Sequence, residues 1–453
     1  MPLLSLGKPT RLGAVVACAL AIALGAGAPS PAFAERRQTD IILGKTAQDR
    51  GTGDADLPDM AAPEGIVVSK DGTVYYERDA DKPVKIASIT KVMTAIVALE
   101  NAKLTDTVTV DHAAATVGES SAGLKEGDTM PLSTALLCLM VPSGNDAAMA
   151  IASSVGKIID PGTSDAFATF IDAMNGKAKE LGMTNSVFTN PHGLDFNGWE
   201  GDLHSTARDV ATMFAHAMKN EEFRKVTLTG DTDVTVKSAD GSERSVALKG
   251  HNKVLGQGGN IGGKTGGTYE ALQCFVGAFT RDVGGEVYTV TLGSDGDEQR
   301  FADTMTLANW YYGHLAAVPV ANTAVESGGK PIVGRTADTD WTDKTVDVTL
   351  ADPAATFTVF SLAGPLKQDV RMDDASGTVS AGDDAGTLVY TQDGDKVAEA
   401  PLVYAHGQEA PSLFERVMIA LDRISRSITG KPTQAESSVL NEAPDPLDYD
   451  AAQ

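Results

Sequence analysis

From Gly65 onward the apolar positions fall into two rhythms. Ile66-Val67-Val68 and Thr73-Val74-Tyr75-Tyr76 flank Ser69-Lys70-Asp71-Gly72. Asp-Gly between β-branched runs predicts a hairpin. Directly after it, Ile89, Val92, Met93, Ile96, Val97 and Leu99 recur at near-helical spacing between Ser88 and Glu100, so the strand pair feeds a buried helix. Helical spacing dominates from Pro131 to Met218, with Leu136, Leu137 and Met140 ahead of Pro142, and Phe167, Phe170, Ile171 and Met174 beyond it. Strand signals then return. Lys264 to Thr268, Gln273 to Thr280 and, past the Gly284-Gly285 turn, Glu286 to Leu292 read as an antiparallel meander, closed by a helix ending at Trp310-Tyr311-Tyr312.

From about Pro319 the text changes to short β-type runs such as Thr345 to Thr349 and Thr387 to Tyr390, separated by Asp/Gly turns, which predicts a small all-β domain. Beyond it Leu413, Phe414, Val417, Leu421, Ile424 and Ile428 recur at helical spacing, with Arg416, Arg423 and Arg426 on other positions. A basic amphipathic helix in an acidic chain reads as a membrane-surface anchor with its arginines toward lipid phosphates; a helix packed on its own domain is the alternative. At the other end, Lys8 and Arg11 precede the apolar run Leu12 to Leu24, and Ala32-Phe33-Ala34 offers small residues for cleavage. That pattern predicts a cleaved export signal rather than a membrane span. The expected organisation is a signal peptide over 1–34, a flexible lead-in over 35–62, a main α+β domain over 63–317, a small β domain over 318–407, an amphipathic helix over 411–430 and an acidic disordered tail over 431–453.

Composition sharpens this picture in three respects. Of 453 residues 42% are hydrophobic, enough for a sizeable core. Removing the signal takes away Lys8 and Arg11 but no acid, moving the formal charge from -24 to -26. Such a surface repels nucleic acid, which is not an expected partner. Cys18 leaves with the signal, and Cys138 and Cys274 lie in apolar runs. They are expected as buried thiols, with a single bond between them left open.

Three short motifs occur in order: Ser88-Ile89-Thr90-Lys91, Ser143-Gly144-Asn145 and Lys264-Thr265-Gly266. S-x-x-K alone says little, since Ser5/Lys8, Ser154/Lys157 and Ser327/Lys330 share it. What singles out Ser88 is its place at the start of an apolar helix and the two motifs that follow. Separated by one turn, Ser88 and Lys91 share a face, so the amine can reach the hydroxyl. A serine attacks well only when something takes its proton, and lysine can do so only while neutral. Burial, the helix N-terminus and a second amine such as Lys264 would all lower its pKa. Bringing it from about 10.4 toward neutrality requires roughly 4 kcal/mol of differential environment.

Ser143, after the helix-breaking Pro142, is placed to relay a proton toward a leaving amine, and Asn145 to hold the lysine and a substrate amide. Lys264 and Thr265, opening a strand at the cleft edge, can bind a terminal carboxylate, while Gly266 admits a substrate backbone.

Together the motifs resemble those of the penicillin-recognising serine enzymes. The surrounding text narrows the resemblance to low-molecular-weight D-alanyl-D-alanine carboxypeptidases: Val74 to Ala80, Asp146-Ala147-Ala148, Leu181 to Asn185, Asn190 to Leu194 and Ser205 to Asp209. Ala381 to Leu388 with Ala398 to Val403 is similar to the β domain that follows in these enzymes. The resemblance implies a β-lactamase/transpeptidase-like fold, an antiparallel sheet flanked by helices with a helical subdomain, then a small all-β domain and an amphipathic helix. It further implies an exported, extracytoplasmic enzyme that forms an acyl-enzyme at Ser88 and releases terminal D-alanine from a peptidoglycan stem peptide. Lys91 would be the proton acceptor, Ser143 the relay, Lys264 the carboxylate-binding lysine, and β-lactams covalent inhibitors at Ser88. Gly267 departs from the family pattern, which often has a larger residue there.

Other readings have weaker footing. Gly258 to Thr265 fits the letters of a P-loop, but its flanks are not strand and helix. A β-lactamase needs a deacylating carboxylate, for which Glu180 is the candidate. A catalytically idle cell-wall-binding protein would not need the full residue set. No Gly-x-Ser-x-Gly or His-Glu-x-x-His occurs, and neither a metal nor a cofactor is expected. His192, between Pro191 and Gly193, reads as a loop-stabilising residue. Carboxypeptidase, endopeptidase and weak transpeptidase remain equally compatible with one acyl-enzyme.

Overall fold

The computed structural model describes residues 37–452; the export signal expected over 1–34 lies outside them. The first hairpin forms where Asp-Gly sits: β3 (Glu64–Ser69) and β4 (Val74–Arg78) are antiparallel, and Gly72 takes a φ of 93° that a side chain would resist. The meander follows as β9 (Asn260–Thr268), β10 (Leu272–Arg281) and β11 (Gly285–Ser294). With β1 (Ile41–Ile42) and β2 (Lys45–Thr46) these build a seven-stranded sheet in the order β2-β1-β4-β3-β11-β10-β9. β3 meets β11 through Ile66 opposite Val290, so the two halves of the sheet come from opposite ends of the first 300 residues.

The residues between the halves form the helical block. It contains α1 (Lys91–Asn101), α2 (Leu132–Met140), α3 (Asn145–Ile159), α4 (Ala166–Glu180) and α5 (Ala207–Ala217). A small sheet of β5 (Thr107–Thr109), β6 (Thr129–Pro131), β7 (Thr232–Lys237) and β8 (Glu243–Leu248) stands beside them. Ile89, Val92, Met93 and Ile96 of the first helical segment are buried with Val276 and Val290 of the sheet, giving one continuous core. Another apolar cluster joins Tyr76, Phe279 and Val287 to Leu307, Trp310 and Tyr311 of α6 (Asp297–Gly313). The closing helix therefore does end at the expected aromatic triplet.

The expectation of a flexible lead-in over 35–62 is corrected by residues 37–62. Asp40 and Arg78 form a buried ion pair at 2.8 Å, each side chain 2% exposed. Tyr76 donates to the same carboxylate at 2.6 Å, and Arg78 donates to the Met60 carbonyl at 2.8 Å. Ile42, Ala47, Leu57, Met60 and Ala62 are buried one at a time. A segment held by single anchors and specific hydrogen bonds has no apolar period, which is why it reads as loop.

Downstream, β13 (Gly334–Ala337), β14 (Thr345–Leu350), β16 (Leu366–Met372), β17 (Asp384–Gln392) and β18 (Asp395–Tyr404) form a second antiparallel sheet. A two-stranded ribbon of β12 (Leu315–Pro319) and β15 (Thr356–Phe360) accompanies it. This part has its own core of Val346, Val348, Leu388, Tyr390 and Leu402.

The segment from 431 differs from the disordered tail expected there. β19 (Ser438–Val439) pairs with β13, and Ala451 bridges to Ala316. Asn441, 3% exposed, donates to Tyr390 Oη and Gln368 Oε1, both at 2.8 Å. Acidic composition concealed a strand too short to show a period.

Between these anchors runs α7 (Leu413–Thr429), capped by Ser412 and Glu415 in a reciprocal box. Its apolar side is bare: Leu413, Phe414, Val417, Leu421, Ile424 and Ile428 are 57–84% exposed. Arg423, however, donates to the carbonyls of Thr339 and Trp341 at 2.7 and 3.1 Å. At least that arginine faces the β part of the molecule rather than being free for lipid phosphates. No described helix is long and apolar enough to cross a membrane.

Candidate active site

Ser88 lies in a 3₁₀ turn, Ala87–Thr90, and Lys91 is the first residue of α1. This refines the expected helix starting at Ser88. A 3₁₀ turn repeats about every three residues and eclipses positions i and i+3, so Lys91 comes directly beneath Ser88. Its Nζ donates to Ser88 Oγ at 2.8 Å, to Asn145 Oδ1 at 2.7 Å and to the His192 carbonyl at 3.0 Å. The amine is fully buried. Burial lowers its pKa to about 7, with the negative charge of Asp146 acting in the opposite direction. A buried amine near neutrality can accept a proton from the hydroxyl it touches.

The turn is held from both sides by residues without side chains. A Cβ at Gly193 would stand 1.9 Å from the Ala87 carbonyl oxygen, and one at Gly266 would stand 2.4 Å from that of Ile86. The role expected for Gly266 in admitting a substrate backbone is therefore joined by a packing requirement: β9 must touch the turn that carries Ser88. His192 is completely buried, its ring edge-on to Trp199 at 4.5 Å and its Nδ1 accepting from Leu194 N at 3.1 Å. It stabilises the loop whose carbonyl holds Lys91.

Across the cleft, Lys264 donates to Ser143 Oγ at 2.8 Å and to the Thr265 carbonyl at 2.7 Å. Burial, then the positive charges of Lys91 and Arg300, hold its amine well below the usual lysine range. Burial is the first cause at both lysines, and the positive charge of Lys91 adds to it at Lys264. Ser143 sits at a φ of 59° and Ala87, before the serine, at 46°. Both are left-handed non-glycine conformations of the kind that cluster at reactive sites. Asn145, first residue of α3, also donates to the Gly118 carbonyl at 3.0 Å, which fixes its amide orientation.

All seven residues expected at the site are thereby brought together by the 3₁₀ turn, the start of α3 and β9. Ser88, Ser143, Asn145, Thr265 and Gly266 line an open cleft of about 420 Å³. The lining also contains residues that motif reading did not find: Glu119, Phe196, His251, Tyr269 and Arg300. Arg300 donates to the Gly266 carbonyl at 2.8 Å, and His251 is kept below its usual pKa by burial and by Lys264, Arg300 and Lys91. No periodicity or motif marks them; only the fold brings them to the cleft. Where Gly267 departs from the family pattern, the vacant volume is taken by Gln273, whose Oε1 would lie 2.9 Å from an added Cβ.

The rival readings find no geometry. Lys264 and Thr265 lie within strand β9, which leads into β10 and not into a helix, so there is no P-loop cradle. Glu180, at the end of α4, is exposed and bonded to Lys177 at 2.6 Å, outside the cleft lining. Cys138 and Cys274 are buried and unpaired, with burial pushing both thiols up to about 12. Among the described residues no group of three His, Cys, Asp or Glu converges as a metal site.

Comparison with known proteins agrees with this geometry. The family profile described as D-alanyl-D-alanine carboxypeptidase matches residues 52–296. The D-alanyl-D-alanine carboxypeptidase DacF of Bacillus subtilis is 27% identical over 357 residues, 75% of this chain and 84% of the relative. The crystal structure of the Streptomyces K15 DD-transpeptidase superposes with a TM-score of 0.51 at 33% identity, covering 56% of this chain and 97% of that one. That of the carboxypeptidase DacD from Francisella tularensis, at 23% identity and TM-score 0.52, shares the fold over 78% of this chain and 95% of its own. With more than half its length matched by the family profile and the motif residues gathered in one cleft, the chain belongs to the D-alanyl-D-alanine carboxypeptidase family.

Proposed function

We propose that the protein is a serine-type D-alanyl-D-alanine carboxypeptidase that acts outside the cytoplasm on peptidoglycan stem peptides and is acylated by β-lactams. The observation that carries the reading is the buried Lys91 amine, with a pKa lowered to about 7, in contact with Ser88 Oγ. Neutral Lys91 takes the Ser88 proton as Oγ attacks the carbonyl carbon of the penultimate D-alanine. The terminal carboxylate lies against Lys264 and Thr265, its negative charge favouring the ammonium form of the buried amine and the Thr265 hydroxyl donating to it. Asn145 orients the lysine and accepts or donates to the acyl-side amide.

β9 pairs on one side only and is an edge of its sheet, so an extended peptide can add to it as a further strand. Backbone N–H groups of Ser88 and of the strand after Gly266 would stabilise the oxyanion. As the C–N bond breaks, the proton passes through the Ser143 hydroxyl to the leaving amine. Water then attacks the Ser88 ester, Lys91 takes its proton, and Ser88 Oγ is reprotonated as the shortened peptide departs.

Intact mass spectrometry with a β-lactam and with a pentapeptide ending in D-Ala-D-Ala tests this. A covalent adduct and loss of one D-alanine are expected, both abolished in Ser88→Ala; an unaltered adduct in that variant would refute the assignment.

A membrane-surface role for α7 rests on its six bare apolar side chains. Arg423 holds the helix to the β part, leaving the apolar side outward. Flotation with anionic vesicles, lost in Leu421→Asp/Ile424→Asp, is the expected result; unchanged flotation would exclude α7 as the contact.

A further inference from the structure

Groups of both signs are gathered at the cleft. Lys264 and Arg300 lie with Ser143 and Thr265 at the end that suits a terminal carboxylate. The acid in the lining is Glu119, on the segment Gly118 to Ser120. That segment is fastened to the catalytic centre at both flanks: Asn145 Nδ2 donates to the Gly118 carbonyl at 3.0 Å, and Asn145 N donates to the Ser120 carbonyl at 2.7 Å. Between these two bonds Glu119 is held at a φ of 61°. A non-glycine residue is kept there at a cost of about 1 kcal/mol or more, so the surroundings dictate where its side chain emerges. The side chain is exposed, and no described residue gives its carboxylate a hydrogen bond or ion pair. Tyr269, also in the lining, is 93% exposed, with Phe196 edge-on at 6.4 Å.

We infer that Glu119 is a specificity-determining residue that receives an ammonium group on the acyl side of the donor peptide. This rests on the carboxypeptidase reading and deepens it. A peptide whose C-terminal carboxylate points at Lys264 must carry its acyl portion away from that pole, past Ser88 and Asn145, between β9 and the Glu119 segment. A diamino acid preceding D-Ala-D-Ala brings its free side-chain amine into that space, with Tyr269 beside its alkyl stem. Once that amine is acylated in a cross-link its charge is gone and the ion pair cannot form. The site thus favours stem peptides that are not yet cross-linked through that amine.

The test uses two tripeptides, Lys-D-Ala-D-Ala with an acetylated α-amine, one with its ε-amine free and one with it acetylated. D-Alanine release is followed in wild type, Glu119→Gln and Glu119→Gly, with β-lactam acylation measured alongside to show that each variant is folded. A partly exposed ion pair predicts a preference of about three- to fivefold in kcat/KM for the free amine, expressed mainly in KM and diminished by salt. Both variants should bring the ratio to about one. Glycine relieves the backbone, so persistence of the preference in Glu119→Gly, or equal rates in wild type, would overturn the inference while leaving the carboxypeptidase reading intact. Release from neither peptide by a wild type that β-lactam acylates would overturn both.

Discussion

Lys91 and Ser88 are joined by a 2.8 Å hydrogen bond in which the amine is fully buried and the hydroxyl only half-buried at the cleft floor. The base is thus shielded from water while its partner stays open to substrate. With the Lys91 pKa lowered to about 7, the neutral, competent amine forms as pH rises. The second-order rate of β-lactam acylation should climb about tenfold per pH unit below 7 and level off above it. A profile flat from pH 5 to 8 would contradict the base role.

Ser143 touches Lys264 rather than Lys91, so its removal should leave the Lys91–Ser88 pair in place. Ser143→Ala should lower kcat for D-alanine release by about 10²–10⁴-fold, the usual weight of a proton-transfer group. Stopped-flow acylation and steady-state release, measured together, show which step is affected.

Gly193 is required by space as well as by its φ of 91°. Gly193→Ala would press on the Ala87 carbonyl and shift the nucleophile's turn. Displacements of this kind cost about 100-fold in rate. Acylation by a fluorescent β-lactam should fall accordingly, and wild-type rates would show that the turn is not positioned by this contact.

Asp40→Ala should be among the most destabilising substitutions far from the cleft. It leaves Arg78 buried without its carboxylate, a change that costs about 3–5 kcal/mol. Denaturant unfolding measures it, and a loss below 1 kcal/mol would mean the first strands are not integral to the sheet.

Asn441 joins β17, β16 and the segment leading out of β12. Asn441→Ala should remove about 1–3 kcal/mol from the β part by leaving buried groups unpaired. Hydrogen exchange should rise in β13 and β17 without a change in Ser88 acylation.

The chemistry was legible in the sequence because it is carried by three motifs whose residue types are fixed by their reaction. Even so, the serine's turn read as helix, since a spacing of three residues is shared by α and 3₁₀ structure. Hidden features lack period or motif. Asp40 and Asn441 act as single buried anchors, and Glu119 is placed by a backbone angle that no letter encodes.

The pairing of Ile66 with Val290 brings together residues more than two hundred positions apart, and the nucleophile lies in the intervening chain. Long-range strand pairing of this kind makes folding slow. Lys91 loses its proton readily only once it is sealed from water, where the Asn145 amide and the His192 carbonyl close on it. An incompletely folded chain therefore carries an ordinary charged lysine and an unreactive serine. The catalyst is silent during its own synthesis and transport, and its reactivity appears only when folding is finished.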